Sequence, residues 1–448
     1  MFGIELLPDC FLFCGLKQHI MNVRFLVSLR LVFLLTFGIG LPLVSSAQLS
    51  ENEDDSDFRA IWFGYVKNDF FYDTRQSYSA REGHLMLYPR EVQLDAEGND
   101  IHTRGQFNFL SIQSRFGTKL IGPKAFGAEV SGLLEGAYFG HTESDVNGFR
   151  LRHAYLEMDW GKWSLLMGQF WHLLFVPEVF PGTISFNTGI PFQFFSRNPQ
   201  IRLSYQQNSI QLIAAAASQR DFPGPGGYQG LSNSLLPDLH FQAQWKVSEQ
   251  LLLASTIGYK RTLPRLVSLN NYKTNESFGA FNLNSFARYR YQKSLFKVQA
   301  LWAQNAYDGL MLGGYTVASM VDLEREIRSY VPINTFSIWG EWEHTTRWGS
   351  SGLFLAYSKN MGSFELLENP EFLGAFSRGA NVDYLYRMAP RVSWNSGKIR
   401  LAVEVEYTVA AYATSQEDNL LNRDAYGRIT HSYQVGVWRF LLGSYYFF

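Results

Sequence analysis

Cysteine is almost missing from this 448-residue sequence: only Cys10 and Cys14 occur, both at the extreme N-terminus. Disulfide, thiol and cysteine–zinc chemistry are therefore excluded from the rest of the chain. Charge is scarce as well, at 18% of residues against roughly 25% in soluble domains. It is also balanced, with 39 Lys+Arg against 40 Asp+Glu and a formal net charge of −1. With no basic surplus, a nucleic-acid partner is not expected. Long apolar runs are lacking beyond the N-terminal region, where no stretch supplies the ~20 predominantly apolar residues of a membrane-spanning helix. Val179–Ser196 carries no charge, but Pro181, Gly182, Gly189 and Pro191 break it. What the sequence does have is aromatic residues: 37 Phe, 24 Tyr and 11 Trp, 16% of the chain, with a mean hydropathy of −0.13. Aromatic-rich, charge-poor and not hydrophobic on average is awkward for a soluble globule. It suits a wall with one lipid face and one wet face.

The N-terminus reads as an export signal. After Met21, Arg24 and Arg30 form a positive region, Leu31–Val44 an apolar core, and Ser45 and Ala47 a small-residue cleavage site. The pattern predicts a leader and cleaved signal over residues 1–47, a short acidic periplasmic segment over 48–57 and a barrel domain over 58–448. Both cysteines leave with the signal, and either Met1 or Met21 can be the start. An uncleaved anchor is the alternative; the core is short for a span and ends in Pro42 and small residues.

Beyond the signal, apolar and polar residues alternate with period two, the mark of a half-exposed strand. Arg400, Glu404 and Glu406 share one face, against Leu401, Val403, Val405 and Tyr407 on the other. His240, Gln242 and Gln244 alternate with Leu239, Phe241 and Trp245. In the segment around 110–120, Ser111, Gln113, Arg115 and Lys119 oppose Leu110, Ile112, Phe116 and Leu120. The pattern predicts about sixteen strands, near 58–73, 105–120, 125–139, 149–160, 163–172, 200–207, 209–219 and 238–247 in the first half. The second half holds 250–261, 278–291, 294–306, 333–345, 349–360, 380–394, 398–412 and 430–448. The connections alternate long and short, the short ones including Ile121–Lys124, Gly161–Lys162 and Gln292–Lys293. That parity belongs to an all-β transmembrane antiparallel barrel with short periplasmic turns and long extracellular loops. Eighteen strands rather than sixteen stays open. Trp160, Trp163, Trp245, Tyr289, Tyr291, Trp342, Trp348 and Trp394 all lie beside short turns, as a belt at the membrane–water boundary requires.

Two motifs carry a family resemblance. The chain ends VGVWRFLLGSYYFF, which resembles the terminal strand of outer-membrane barrels, whose last aromatic, here Phe448, is read by the barrel-assembly machinery. Phe149–Trp171, with Arg150, Arg152, His153, Ala154 and Tyr155 before Gly168 and Gln169, is similar to a strand–turn–strand of the DcaP-like porins of Gram-negative bacteria. The resemblance implies an outer-membrane setting among lipid and lipopolysaccharide, a homotrimer, an inward-folded third loop and passive uptake of small solutes. A periplasmic coiled-coil extension, present in some relatives, finds no room in Gln48–Asp57.

The third long loop, Leu173–Pro199, is thus the constriction candidate. It holds one acid, Glu178, one base, Arg197, and Phe175, Phe180, Phe186, Phe192, Phe194 and Phe195. These rings either line a greasy constriction or merely pack the loop against the wall. The polar parity puts Arg115, Lys119, Arg150, Arg152 and Arg202 in the lumen, with Glu129 and Glu135 between them. Arg288, Arg290, Arg387, Arg391 and Arg400 face in elsewhere, opposite acids such as Glu341, Glu343 and Glu404. Charge in a narrow pore biases which ions pass. The Arg surplus on strands two to six favours mild anion preference, unless Arg–Glu pairs neutralise one another.

Enzyme chemistry is weakly represented: there is no Gly-x-Ser-x-Gly, no His-Glu-x-x-His and no Walker A sequence. The pairs Glu341/Glu343 and Glu404/Glu406 read as pore wall rather than glycosidase acids, and His153 and His172 as wall residues rather than ligands. Asp95–Asp100 is an acidic turn without the full EF-hand pattern. No cofactor or catalytic residue is expected. The reading is a passive porin for small hydrophilic solutes. Its alternatives are a channel selective for sugars or aromatic acids, an outer-membrane enzyme, or a surface receptor barrel.

Overall fold

The computed structural model describes residues 58–448, apart from 187, 371–375 and 416–419. The signal and the acidic segment over 1–57 lie outside the described residues. Sixteen antiparallel strands form one closed wall. They are β1 (Arg59–Asp73), β2 (Gln106–Leu110 with Arg115–Ala125), β3 (Ala128–Ala137), β4 (Arg150–Asp159), β5 (Trp163–Trp171) and β6 (Arg197–Gln207). Next come β7 (Ile210–Ala217), β8 (Asp238–Lys246), β9 (Leu251–Thr262), β10 (Phe278–Tyr291) and β11 (Ser294–Gln304). The wall ends with β12 (Asn334–Thr345), β13 (Gly349–Gly362), β14 (Val382–Ser396), β15 (Ile399–Ala413) and β16 (Ser432–Phe447). Each strand pairs with its sequence neighbour, and β16 closes on β1 from Tyr65↔Phe447 to Asp73↔Arg439. Closure removes the unpaired strand edges that would otherwise be exposed. No helix among the described residues is long and apolar enough to cross a membrane.

The alternation becomes an inside and an outside. On β8, Asp238, His240, Gln242 and Gln244 are buried, while Leu239, Phe241 and Trp245 are exposed. Apolar side chains outside and polar ones inside are what a lipid-solvated barrel needs. The eight aromatics beside the short turns are all exposed, on the outer rim where amphipathic rings are favoured. At the closing seam the ring of Phe448 lies over Gly64: a Cβ added at Gly64 would fall 2.6 Å from Phe448 Cζ. Phe63 covers Gly117 and Phe149 covers Gly136 in the same way, so aromatic rings fill the gaps that strand glycines leave.

Two irregularities correct the expected parity. Both pieces of β2 pair with β1, Gln106–Leu110 with its upper part and Arg115–Ala125 with its lower part. The residues between them, 111–114, leave the ladder, so the inward set changes from even to odd numbers. Leu110 and Ile112, expected outside with Phe116, are instead buried with Phe71 and Phe186. On β4 a bulge at Arg152 turns Arg152 and His153 both inward. Two residues then oppose one, as in any β-bulge. Beyond it Tyr155, Glu157 and Asp159 take the lumenal side, which plain alternation did not assign to them. The first short turn also moves: β2 runs on to Ala125, and Phe126 and Gly127 turn with φ of 51° and 75° in place of Ile121–Lys124. β6 begins at Arg197 rather than 200.

Candidate functional site: the lumen and its loops

The third loop leaves β5 at Trp171 and returns on β6 at Arg197. Backbone groups inside a barrel must find partners, and this loop finds them on the far wall. The carbonyl of Leu173 accepts from Gln242 on β8 (3.4 Å), and that of Phe180 from Lys297 on β11 (2.7 Å). Gly182 N donates to Glu341 on β12 (2.6 Å). Ile184 N and Ser185 N donate to the two oxygens of Glu404 on β15 (2.8 and 2.9 Å). Lys67 on β1 donates to the Ile184 carbonyl (2.7 Å), Arg387 on β14 to that of Ile190 (2.6 Å), and Ser337 on β12 to that of Phe192 (2.6 Å). The loop is thus tied across the lumen by Gln242, Ser337 and a larger set of charged side chains, whose bonds to backbone are stronger than neutral ones.

Its phenylalanines pack rather than line. Phe175, Phe186, Phe192, Phe194 and Phe195 are each 1–2% exposed. Phe175 stacks on Trp171 at 3.8 Å, and Phe186 lies between Phe139 and His84 at 4.2 and 5.3 Å. Of the two readings of these rings, the geometry selects packing. Glu178 is half-buried.

Two further loops enter the lumen, and the sequence pattern did not reveal them. The hairpin of Ser77–Ala80 and Leu85–Pro89 in the first loop is held by Arg387 on the Leu87 carbonyl (2.9 Å), by Arg439 on that of Gly83 (2.6 Å) and by Tyr412 on that of Pro89 (2.5 Å). In the sixth loop, Met311 and Leu312 are fully buried, and Gly309 O accepts from Phe195 N of the third loop (3.0 Å). A basic residue surrounded by carbonyls is a cue visible in hindsight only.

Charges divide by quadrant. On β12–β15 and the seam the bases are paired: Arg387 with Glu406 (3.0 Å), Arg391 with Glu343 (2.9 Å) and Glu341 (3.3 Å), and Arg439 with Asp73 (2.6 Å). On β2–β6, three of five guanidiniums share two carboxylates, and Glu157 of β4 stands on the same lumenal side. Arg152 pairs with Glu135, while Arg150 and Arg197 both engage Asp221 of the fourth loop. Arg115 and Arg202 have no ion-pair partner among the described residues. Arg115 lies over Tyr65 (5.3 Å), and Arg202 over Phe170 (5.0 Å) while donating to the Trp171 carbonyl (2.7 Å). Arg115 Nε, Arg150 Nη1 and Arg197 Nη1 are buried without an acceptor among the described residues. Near the short-turn end, Lys119 and Arg290 are exposed, Arg288 and Arg400 half-buried, and Glu129 pairs with Lys124 (2.5 Å). Asp221, Lys67 and Asp73 were not singled out by the sequence pattern, the first because it sits in a loop.

His172, Asp238 and His240 come together as a buried set that resembles a metal site. His172 Nδ1, however, accepts from Leu174 N (3.3 Å), which leaves its Nε2 to donate to Asp238 (3.1 Å). A metal needs that nitrogen unprotonated, so the set is a hydrogen-bonded tie at the root of the third loop. Outside the wall, Glu143 accepts from Arg81 N (2.6 Å) and Glu82 N (2.9 Å). Burial would raise its carboxyl pKa, but these backbone donors and the Arg81 charge outweigh it and lower the pKa.

No protein-family model matches the chain. No curated protein matches it either. Solved structures do. The outer membrane channel DcaP of Acinetobacter baumannii superposes with a TM-score of 0.62 at 15% identity, covering 88% of this chain and 98% of that one. OmpT of Vibrio cholerae gives 0.51 at 10% identity over 90% of this chain and all of that one. An anion-selective porin from Comamonas acidovorans gives 0.51 at 11% identity over 88% and 100%. The chain has the fold of a bacterial outer-membrane porin, a closed sixteen-stranded barrel.

Proposed function

We propose that the protein is an outer-membrane porin: a passive channel for small hydrophilic solutes, with mild anion preference and no chemical conversion. The observation that carries this reading is the lumen itself. A closed barrel holds a loop tied across its interior, beside a wall quadrant where five arginines meet the carboxylates of Glu135, Glu157 and Asp221. Surplus cationic charge in a confined, partly desolvated passage raises the local concentration of anions. Arg115 and Arg202 contribute most to the bias, because they lack ion-pair partners. Lys119, Arg288, Arg290 and Arg400 add to it at the short-turn mouth. Arg387, Arg391 and Glu404 act on loop position rather than on ions, since their charges are spent on the wall and the third loop. Phe186 serves packing. The apolar outer face supports a setting among outer-membrane lipid and lipopolysaccharide. The Phe448 terminus supports recognition by the barrel-assembly machinery, and the resemblance to DcaP-like porins supports a homotrimer.

The test is the reversal potential across a planar bilayer in a KCl gradient. The expected sign is that of chloride preference, reduced in Arg115→Gln/Arg202→Gln. A potential of the cation-selective sign in the wild type would overturn the anion reading.

A further inference from the structure

The outer wall carries a furrow that the transport reading does not use. Over β7 the outward residues are Ala214 and Ala216, while those on the adjoining strands are larger, Ile201 and Leu203 on β6 and Leu239 and Phe241 on β8. Three adjacent strands span about 10 Å, so small residues on the middle one leave a trough between two ridges. The trough is one end of a shallow cavity of 940 Å³ that runs on across β8–β11 to Trp302 and Phe364, is lined almost wholly by apolar side chains and lies in the long-loop half of the wall.

A second cavity of 890 Å³ continues it upward, sharing Ile201 and Ala216. Its upper lining comes from the fourth loop, which raises Tyr228, Leu235 and Leu236 above the β7 edge. Leu235 is 91% exposed and Tyr228 54%. Arg220 stands in the same lining, exposed and without an ion-pair partner among the described residues. An apolar trough in the hydrocarbon layer thus ends beneath an unpaired cation at the level of the headgroups.

We propose that this furrow binds one acyl chain of an outer-leaflet glycolipid, with Arg220 pairing a phosphate of its headgroup. The assignment rests on the outer-membrane reading above, and charge complementarity selects the occupant. An anionic amphiphile matches both the greasy trough and the cation at its top. Basic groups at the membrane surface favour anionic headgroups, and each CH₂ of the chain buried in the trough adds to the affinity.

The test uses the full chain, purified in mild detergent and titrated with purified rough lipopolysaccharide, with bound lipid counted by native mass spectrometry. The wild type is expected to hold lipid that Ala214→Phe/Ala216→Phe loses at least tenfold, and that Arg220→Glu loses severalfold. Heat-modified gel mobility establishes that each variant is folded, and single-channel conductance is read on the same samples. Lost lipid with unchanged conductance supports the site. Equal lipid binding by the filled-trough variant overturns it, as does a filled trough that breaks the oligomer but leaves lipid bound. Absent conductance in a lipid-binding wild type would count against the porin reading and leave the furrow standing.

Discussion

Replacing Arg387 with Met should loosen two of the loops in the lumen at once. This guanidinium is 2% exposed and sits where the β14–β15 wall meets the first and third loops. It donates to the carbonyls of Ile190 (2.6 Å) and Leu87 (2.9 Å) and to Thr408 Oγ1 (2.8 Å), and it pairs with Glu406 at 3.0 Å. A hydrogen bond from a charged donor contributes ~1.5–3 kcal/mol, so the two loop carbonyls together stand to lose ~3–6 kcal/mol. Removing the cation beside a buried carboxylate adds a wall-side cost of about 3–5 kcal/mol. The loops keep other ties, so these terms do not simply add. Taking the low end for the one bond to the third loop, about 1.5 kcal/mol, and tenfold per ~1.4 kcal/mol, amide exchange at Phe192 should quicken by about tenfold. Open-channel current should become noisier. Arg387→Lys keeps the charge but not the planar fork that spans two carbonyls, and should fall between. Unchanged exchange and quiet current in a folded Arg387→Met protein would refute the claim that Arg387 anchors these loops.

Glu404→Gln weakens the charge-assisted bonds from Ile184 N and Ser185 N by ~1–2 kcal/mol; greater current noise without loss of the barrel is the expected record. Gly64→Leu must displace the Phe448 ring and so should open the β1–β16 seam; a lower temperature for the heat-induced mobility shift on gels checks it. The clamp from Glu143 to the first loop should be acid-labile. Its folded pKa is lowered, so the stabilisation is present above the unfolded carboxylate value of about 4.3. It is lost as pH falls through the lower folded value. Exchange at the Arg81 and Glu82 amides, corrected for intrinsic rate, should rise on acidification in the wild type and be pH-insensitive in Glu143→Gln.

Much of this architecture is legible from the chain because lipid outside and water inside force a period of two. Strand number, the parity of loop lengths and the inward placement of Arg202, Arg391 and Glu404 follow from that one constraint. The alternation fails where the ladder does. The break at 111–114 and the bulge at Arg152 each shift the side-chain phase, and neither carries a local sequence signal that distinguishes it from regular strand. Loop destinations are the other gap. The third loop could be singled out by its order and its lack of charge. The hairpin at Ser77–Pro89 enters the lumen because Arg387, Arg439 and Tyr412, hundreds of residues later, donate hydrogen bonds to its carbonyls. Asp221 escaped notice for the same reason: only the fold brings it between Arg150 and Arg197.

The central claim is an open, passive channel, and single-channel recording of the refolded full-length barrel in a planar bilayer tests it most directly. Stable, long-lived open steps, arriving in groups of three if the barrels are trimeric, are the expected result. A folded barrel of the right size that inserts but passes no current would contradict the account.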